Sequence, residues 1–138
     1  EEETRRTSGE LHVCTDDGSA GSRGFVSVKL AELIASGEKI DRVWAIGPGV
    51  MMKAVCDVTR PAGIPTVVSL NTLMVDGTGM CGGCRITVGG KVKFVCVDGP
   101  EFDGHQVEFG ELLKRSRMYA DRESRANRDH ACRLGLKT

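Results

Sequence analysis

Apolar residues follow two different spacings in the first seventy positions of the chain. Two segments place apolar residues three and four positions apart, as in a helix with one buried face, and three carry short apolar runs typical of buried strands. The predicted strands are Glu10–Thr15, Arg42–Gly47 and Ile64–Leu70, and the predicted helices are Phe25–Ser36 and Val50–Thr59. Alternating strands and helices are typical of parallel strands joined by crossover helices. The pattern therefore predicts an α/β fold with a parallel sheet.

The predicted sheet is only part of a Rossmann-like domain. Three parallel strands are few for a sheet that is covered on both faces. Such a domain also has a glycine-rich turn after its first strand, and no such turn precedes Glu10. The chain does not begin with Met. We therefore expect it to be a C-terminal fragment whose residues 1–70 complete a sheet begun elsewhere.

The pattern changes after residue 70. Arg85–Val88 and Lys91–Phe94 are short alternating segments joined by two glycines, which favour a β-hairpin turn. Val107–Arg115 is predicted to be helical. The remaining residues, 114–138, carry eight Lys or Arg against three Asp or Glu and few apolar residues. We predict three units: 1–70, a small hairpin segment over 71–113, and a basic, partly helical tail over 114–138.

Three of the six cysteines fall in the hairpin segment. Folding the hairpin about its two glycines places Val88 opposite Lys91. Cys84 then lies within one residue of the position opposite Cys96. Cys81 precedes Cys84 by three residues, close enough to bind the same centre. The hairpin alone therefore predicts that three thiols come together.

Clustered thiolates are ligands for zinc or for iron–sulfur clusters. Plant-type [2Fe–2S] proteins use the spacing C-x4-C-x2-C with a distant fourth cysteine. Asp76 stands here at the first position and is followed by Cys81, Cys84 and Cys96, so these four are the predicted cluster ligands. One alternative is a zinc-stabilised, non-redox interaction module with Asp76 or Cys132 as fourth ligand. The other is a glycine-rich turn without metal, in which Asp76 shapes the turn.

A second group of candidates follows the predicted strands. Open parallel sheets bind ligands beyond the carboxyl ends of their strands. Acidic side chains there can bind ribose hydroxyls, and a helix N-terminus favours phosphate. The candidate nucleotide-binding residues are Asp16, Asp17, Gly18, Ser19, Gly47 and Pro48. From the residues alone, positions 16–19 fit an ordinary turn better. No catalytic residue is predicted.

Composition excludes several classes of partner. Nineteen basic residues balance nineteen acidic ones, so no net charge favours nucleic acid or an anionic membrane. Aromatic residues make up only 4% of the chain, too few for a surface that stacks bases. No segment has the length of a membrane span, and no secretory signal is visible. We predict a cytoplasmic protein that binds neither nucleic acid nor membrane.

Four segments resemble one known family in continuous register. They are T-D-D-G-S-x-G-x-x-G-F-V (Thr15–Val26), A-I-G-P-G-V-M-M-K-A-V (Ala45–Val55), S-L-N-x-x-M-V-D-G-T-G-M-C-G-G-C-R (Ser69–Arg85) and K-F-V-C-V-D-G-P-E-F-D-G-H (Lys93–His105). The family is the small (alpha) subunit of NADH-dependent ferredoxin:NADP oxidoreductase, or sulfide dehydrogenase alpha subunit. It is similar to the electron-transfer subunit of dihydroorotate dehydrogenase. The dihydroorotate dehydrogenase subunit uses four cysteines, so Asp76 favours the ferredoxin:NADP oxidoreductase branch.

The resemblance implies a ferredoxin reductase-type fold and an oxidoreductase subunit. Such a subunit passes electrons between NAD(P)H, FAD and a [2Fe–2S] cluster to a larger flavoprotein or iron–sulfur subunit, or to ferredoxin. Residues 1–70 would be the end of the NAD(P)-binding domain and 71–113 the cluster segment. FAD would be bound by an N-terminal domain missing here, so this fragment alone is expected to be inactive.

Overall fold

The computed structural model describes the backbone of residues 2–133 and the side chains of residues 2–128. Six helices and seven short strands form in this part of the chain. The helices are α1 (Glu2–Thr7), α2 (Val26–Ala35), α3 (Gly49–Thr59), α4 (Val95–Asp98), α5 (Phe109–Ser116) and α6 (Ala120–Arg133). The strands are β1 (Cys14–Thr15), β2 (Ser22–Arg23), β3 (Val43–Ile46), β4 (Thr66–Ser69), β5 (Arg85–Val88), β6 (Lys91–Phe94) and β7 (Glu101–Asp103). The fold is mixed α/β with small sheets, in part as predicted.

The central sheet has the order β3-β4-β7. β3 and β4 are parallel, with Val43 opposite Thr66 and Ile46 opposite Ser69, as the alternating pattern predicted. β7 is antiparallel to β4, with Ser69 opposite Glu101. Because β3 and β4 end side by side, the turn after Ile46 and the loop after Ser69 leave the same edge of the sheet. That loop leads to the predicted cluster ligands.

The predicted parallel sheet of three strands does not form within residues 2–133. The first strand is only Cys14–Thr15, and it pairs with β2, where Cys14 is opposite Ser22. The amide of Ser22 donates to Val13 O at 2.8 Å, so the chain returns immediately to its own neighbour. The third strand of the sheet is β7, which pairs with β4 on the side away from β3 and runs antiparallel to it.

The core lies between α3, the sheet and the hairpin. Met52, Val55, Cys56 and Thr59 are the buried residues of α3, at the spacing that one helix face requires. α3 packs against both α2 and α5. The remaining buried apolar residues come from the sheet, the hairpin and α5: Ala45, Val68, Leu70, Cys84, Ile86, Val95, Val107, Phe109 and Leu112. One continuous core therefore joins the sheet to the hairpin that carries the cysteines.

β5 and β6 form an antiparallel hairpin closed by Gly89 and Gly90. Val88 pairs with Lys91 and Arg85 with Phe94, the register that the two glycines predict. Both glycines have positive φ, 57° and 74°, as a type I′ turn requires. The hairpin ends face the core, and Cys84 and Val95 meet there.

The edges of the molecule differ in character. Trp44, the only tryptophan, is 60% exposed on β3, and the guanidinium of Arg42 lies 5.5 Å from the centre of its ring. In the tail, α6 is strongly polar. The side chains of residues 120–128 in this helix are exposed. Residues 134–138 of the predicted tail lie outside the described part. None of the helices described in residues 2–133 is long and apolar enough to cross a bilayer.

Candidate iron–sulfur cluster site

Cys84 and Cys96 meet at the open end of the hairpin. Cys84 precedes β5 and Cys96 lies in α4, and the amide of Val95 donates to the carbonyl of Cys84 at 3.2 Å. Their Sγ atoms are 3.2 Å apart and both cysteines are thiols. Cys84 is 2% exposed, whereas Cys96 is half-buried. The structure therefore joins two of the three predicted thiol ligands directly.

Cys81 is exposed in the loop between β4 and β5, which ends at Cys84. Its sulfur accepts a hydrogen bond from the amide of Gly83 at 3.4 Å. Gly79 and Gly82 have φ of 82° and 65°, which residues with a Cβ rarely adopt. These glycines let the backbone turn sharply between Asp76 and Cys84, so Cys81 lies in the same loop as Cys84.

Asp76 organises the start of this loop. Its carboxylate accepts hydrogen bonds from the amides of Thr78 at 3.0 Å and Cys81 at 2.9 Å. The bond from Thr78, followed by the bond from Cys81, holds the pKa of this carboxyl below its ordinary value. The ionised carboxylate is thus oriented by the backbone of Cys81. The sequence analysis gave two roles for Asp76, as a cluster ligand or as a residue that shapes the turn. Both roles require the ionised carboxylate.

The paired thiols ionise unequally. The amide of Cys96 donates to the Cys84 sulfur and is the main cause of its lowered pKa. The thiol–thiol hydrogen bond with Cys84, followed by burial, raises the pKa of Cys96. The pair therefore loses its first proton at Cys84. Deprotonated thiols are the form that binds metal ions and iron–sulfur clusters.

The chemistry of the donor set, three thiols and a carboxylate, fits an iron–sulfur cluster. Asp76, Cys81 and Cys84 lie in the glycine-rich loop before β5 and Cys96 lies in α4, and thiolates are the soft ligands that iron–sulfur clusters use. Within the described residues, no three His, Cys, Asp or Glu side chains already surround one point where a metal ion could bind. The side chain of Cys132, the alternative zinc ligand, lies outside the described part.

The predicted nucleotide-binding residues fall into two separate groups. The amide of Ser19 donates to the Asp17 carboxylate at 2.9 Å and lowers the pKa of that group, so Asp17 shapes the β1–β2 loop. Asp16, Gly18 and Ser19 are exposed in that loop. Gly47 and Pro48 lie instead between β3 and α3, at the sheet edge from which the cysteine loop departs. Strand β1 is not in that sheet, so the six candidate residues do not lie at one edge of the sheet.

Arg115 contacts the candidate site, although the sequence analysis placed it only at the end of a predicted helix and in the basic tail. Its Nη2 donates to the carbonyl of Gly83, between Cys81 and Cys84, at 2.8 Å. It lies three residues after the buried Leu112 and is itself half-buried, although basic residues of a polar helix face are normally exposed. That spacing was the signal that could have separated it from the exposed charges of the tail.

A cleft of about 550 Å³ opens between this loop and the helices α5 and α6. Leu73, Val75 and Gly83 line one side, and Arg115 and Tyr119 line the other. The hydroxyl oxygen of Thr72, which also lines the cleft, is buried without a hydrogen-bond partner. Arg115 therefore lines a cleft beside the cysteine loop.

Cys56 has a different environment and a different expected behaviour. This thiol is 1% exposed on α3, and burial raises its pKa from 9.0 to about 11. In the unfolded chain it ionises near pH 9, whereas in the folded chain it keeps its proton, so stability falls as pH rises from about 9 to about 11. We expect a loss of roughly 2 kcal/mol by pH 11.

Chemical denaturation at a series of pH values checks this expectation, with Cys56→Ala as the variant that cannot ionise. The variant is less stable near neutral pH because it leaves a cavity, but its stability should fall less between pH 9 and 11. Equal slopes for the two proteins would contradict the assignment.

Comparison with known proteins supports the site chemistry. Residues 71–108 match the family model of the iron–sulfur cluster binding domain of dihydroorotate dehydrogenase B. The chain is 53% identical over 114 residues to a Thermotoga maritima homolog of the dihydroorotate dehydrogenase B (NAD(+)) electron transfer subunit. That alignment covers 83% of this chain and 40% of the relative. An uncharacterized protein from the adh 3′ region of Clostridium beijerinckii is 54% identical, over 91% of this chain and 43% of its own length.

A solved structure agrees with these matches. A chain in the structure of an NADH-dependent reduced ferredoxin-NADP oxidoreductase, reported for its flavin-based electron bifurcation, is 46% identical with a TM-score of 0.80. The match covers 93% of this chain and 46% of the other. The present chain thus spans less than half the length of the relatives it matches.

The loop and the domain match place residues 71–108 in the class of iron–sulfur cluster binding domains. The chain belongs to the family of electron-transfer subunits that includes those of dihydroorotate dehydrogenase B and the NADH-dependent ferredoxin-NADP oxidoreductase. The resemblance drawn from the sequence motifs is therefore confirmed. These relatives are oxidoreductase subunits.

Proposed function

We propose that this chain is the cluster-carrying part of an iron–sulfur flavoprotein reductase subunit that passes electrons between NAD(P)H, flavin and a [2Fe–2S] cluster. Asp76, Cys81, Cys84 and Cys96 would hold the cluster. The observation that carries the proposal is the pairing of the Cys84 and Cys96 sulfurs at 3.2 Å, beside the loop that contains Cys81. When bound, a [2Fe–2S] cluster accepts and releases one electron at a time.

The protein prepares the thiols for that role. The Cys96 amide favours ionisation of Cys84, and the Gly83 amide donates to the Cys81 sulfur. Hydrogen bonds to cluster sulfurs help to set the reduction potential. Burial of Cys84 in the core keeps water from one side of the site. The cysteines are thus fixed to the folded core at one end and exposed at the other, where an electron partner can approach.

The same proposal assigns a nucleotide-binding site and an electron acceptor. Gly47 and Pro48 leave the sheet at the edge where the cysteine loop begins, which supports a nicotinamide nucleotide near the cluster side of the sheet. Asp16, Asp17, Gly18 and Ser19 would approach the same nucleotide from their own loop. FAD would be supplied by another part of the full-length protein. We propose a larger flavoprotein or iron–sulfur subunit, or ferredoxin, as the electron acceptor.

Two other functions remain as alternatives to this proposal. The electron-transfer subunit of dihydroorotate dehydrogenase has the same kind of site, and the matched domain family favours it. The Asp76 carboxylate, which lies in the position of the first plant-type ligand, favours the ferredoxin:NADP branch. The zinc-stabilised, non-redox module would use the same thiols without colour or redox activity.

Metal analysis of protein prepared without oxygen tests the proposal. We expect two irons per chain, with visible absorption bands that bleach on addition of dithionite. The same samples are analysed for zinc. One zinc per chain with no colour would replace the electron-transfer function with the structural module, and full-length protein prepared in parallel shows whether the rest of the subunit is needed for cluster retention.

A further inference from the structure

Arg115 touches the backbone of the cysteine loop rather than any cysteine side chain. Its Nη2 lies 2.8 Å from the carbonyl oxygen of Gly83, and a guanidinium donor makes this a charge-assisted hydrogen bond. The amide of the same glycine donates to the sulfur of Cys81 at 3.4 Å. Gly83 is therefore held from both sides, at its N–H by a cysteine and at its C=O by Arg115.

Gly83 is a residue that needs such restraint. It belongs to a Gly-Gly pair between Cys81 and Cys84, and glycine has the widest choice of backbone conformations. The peptide that follows it is planar and trans, so the direction of the Gly83 carbonyl also fixes the direction of the Cys84 amide. Holding that carbonyl thus sets the relative orientation of the two cysteines.

The helix that carries Arg115 is itself firmly attached to the hairpin. The hydroxyl of Thr87 on β5 donates to the Glu111 carboxylate at 2.8 Å. Phe109 and Leu112 are buried in the core on the same helix. α5 also packs against α3. Arg115 therefore connects the well-packed helix α5 to the flexible pair of glycines between Cys81 and Cys84.

We propose that Arg115 is the positioning residue of the Cys81–Cys84 segment: through the Gly83 carbonyl it holds these two cysteines in the orientation that binds the cluster. This inference rests on the proposed function for its cluster, but the loop contact itself does not. Residues that support ligands from outside the coordination shell commonly change metal retention when they are removed. The positive charge close to the loop also favours the more negative, reduced state of a bound cluster.

The test compares Arg115→Ala with Lys114→Ala. Lys114 is the neighbouring exposed residue on the same helix, and its substitution removes the same charge without removing a hydrogen bond to the loop. In iron-free protein, we expect ¹⁵N relaxation to give lower order parameters for residues 82–84 in Arg115→Ala and unchanged ones in Lys114→Ala. In loaded protein, we expect iron to be lost to a chelator roughly 10–100-fold faster in Arg115→Ala only. Its midpoint potential should shift to a more negative value.

Arg115→Lys keeps a charged donor but not the planar fork, so it should lie between wild type and Arg115→Ala in all three measurements. It also decides the question if Arg115→Ala does not fold. Unchanged order parameters in both Arg115 variants, or equal effects of the Arg115 and Lys114 substitutions, would overturn the proposal. A wild-type chain that binds no iron would instead remove the proposed function, while the relaxation comparison would still show whether Arg115 holds the loop.

Discussion

Cys84→Ser is expected to abolish cluster binding while the sheet and α3 keep their structure. Cys84 is the buried member of the thiol pair, and its sulfur lies 3.2 Å from that of Cys96. A serine hydroxyl is a much poorer ligand for iron than a thiolate. Iron content and the visible spectrum of protein prepared without oxygen should both fall to background.

Cys14→Ser is the matched control for this substitution. Cys14 is a half-buried thiol on β1, apart from the cysteine loop. We expect this variant to retain iron at the wild-type level, and far-ultraviolet circular dichroism should report the same secondary structure for both variants. Full iron content in Cys84→Ser, or equal loss in the two variants, would mean that Cys84 is not a ligand.

Asp76→Cys and Asp76→Ala are expected to have opposite effects on the cluster. If the carboxylate is the fourth ligand, cysteine restores a plant-type set of four thiols, whereas alanine leaves one position without a protein ligand. Both changes remove the hydrogen bonds that Asp76 accepts from Thr78 and Cys81. Retention of iron by the cysteine variant and loss by the alanine variant therefore separates ligation from loop shaping.

Electron paramagnetic resonance of the dithionite-reduced protein gives the second measurement. The spectrum of Asp76→Cys should differ from wild type because the ligand atom has changed. Asp17→Ala is the control, since Asp17 accepts a similar backbone hydrogen bond from Ser19 in a loop that contains no cysteine. Equal loss of iron in both Asp76 variants would assign that residue to loop shaping alone.

Local patterns predicted the parts of the fold that local forces determine. The apolar runs located β3 and β4, and the helical spacing located α2, α3 and α5 to within a few residues. Gly89 and Gly90 predicted the hairpin and its register because few turns fit two such residues. The meeting of Cys84 with Cys96 followed from that register. These features depend on residues close together in the sequence or directly paired.

Features that depend on distant partners were not predicted. Nothing in Cys14–Thr15 indicates that it pairs with β2 rather than with β3, because two residues carry no periodic pattern. β7, which makes the third strand antiparallel, is a three-residue segment after a turn and was missed, as was the short helix α4. The contact of Arg115 with Gly83 spans 32 positions. In the sequence, Arg115 cannot be distinguished by charge from the exposed basic residues that follow it.

The exposed position of Trp44 gives the protein a built-in optical reporter. Since it is the only tryptophan, all indole fluorescence comes from one point on β3, beside the Arg42 guanidinium. In this chain the ring is largely in contact with water, so its emission lies at long wavelength and iodide or acrylamide can quench it. Any partner or further segment that covers this strand would move the emission to shorter wavelength. The emission wavelength of this one residue thus reports whether the sheet edge is open.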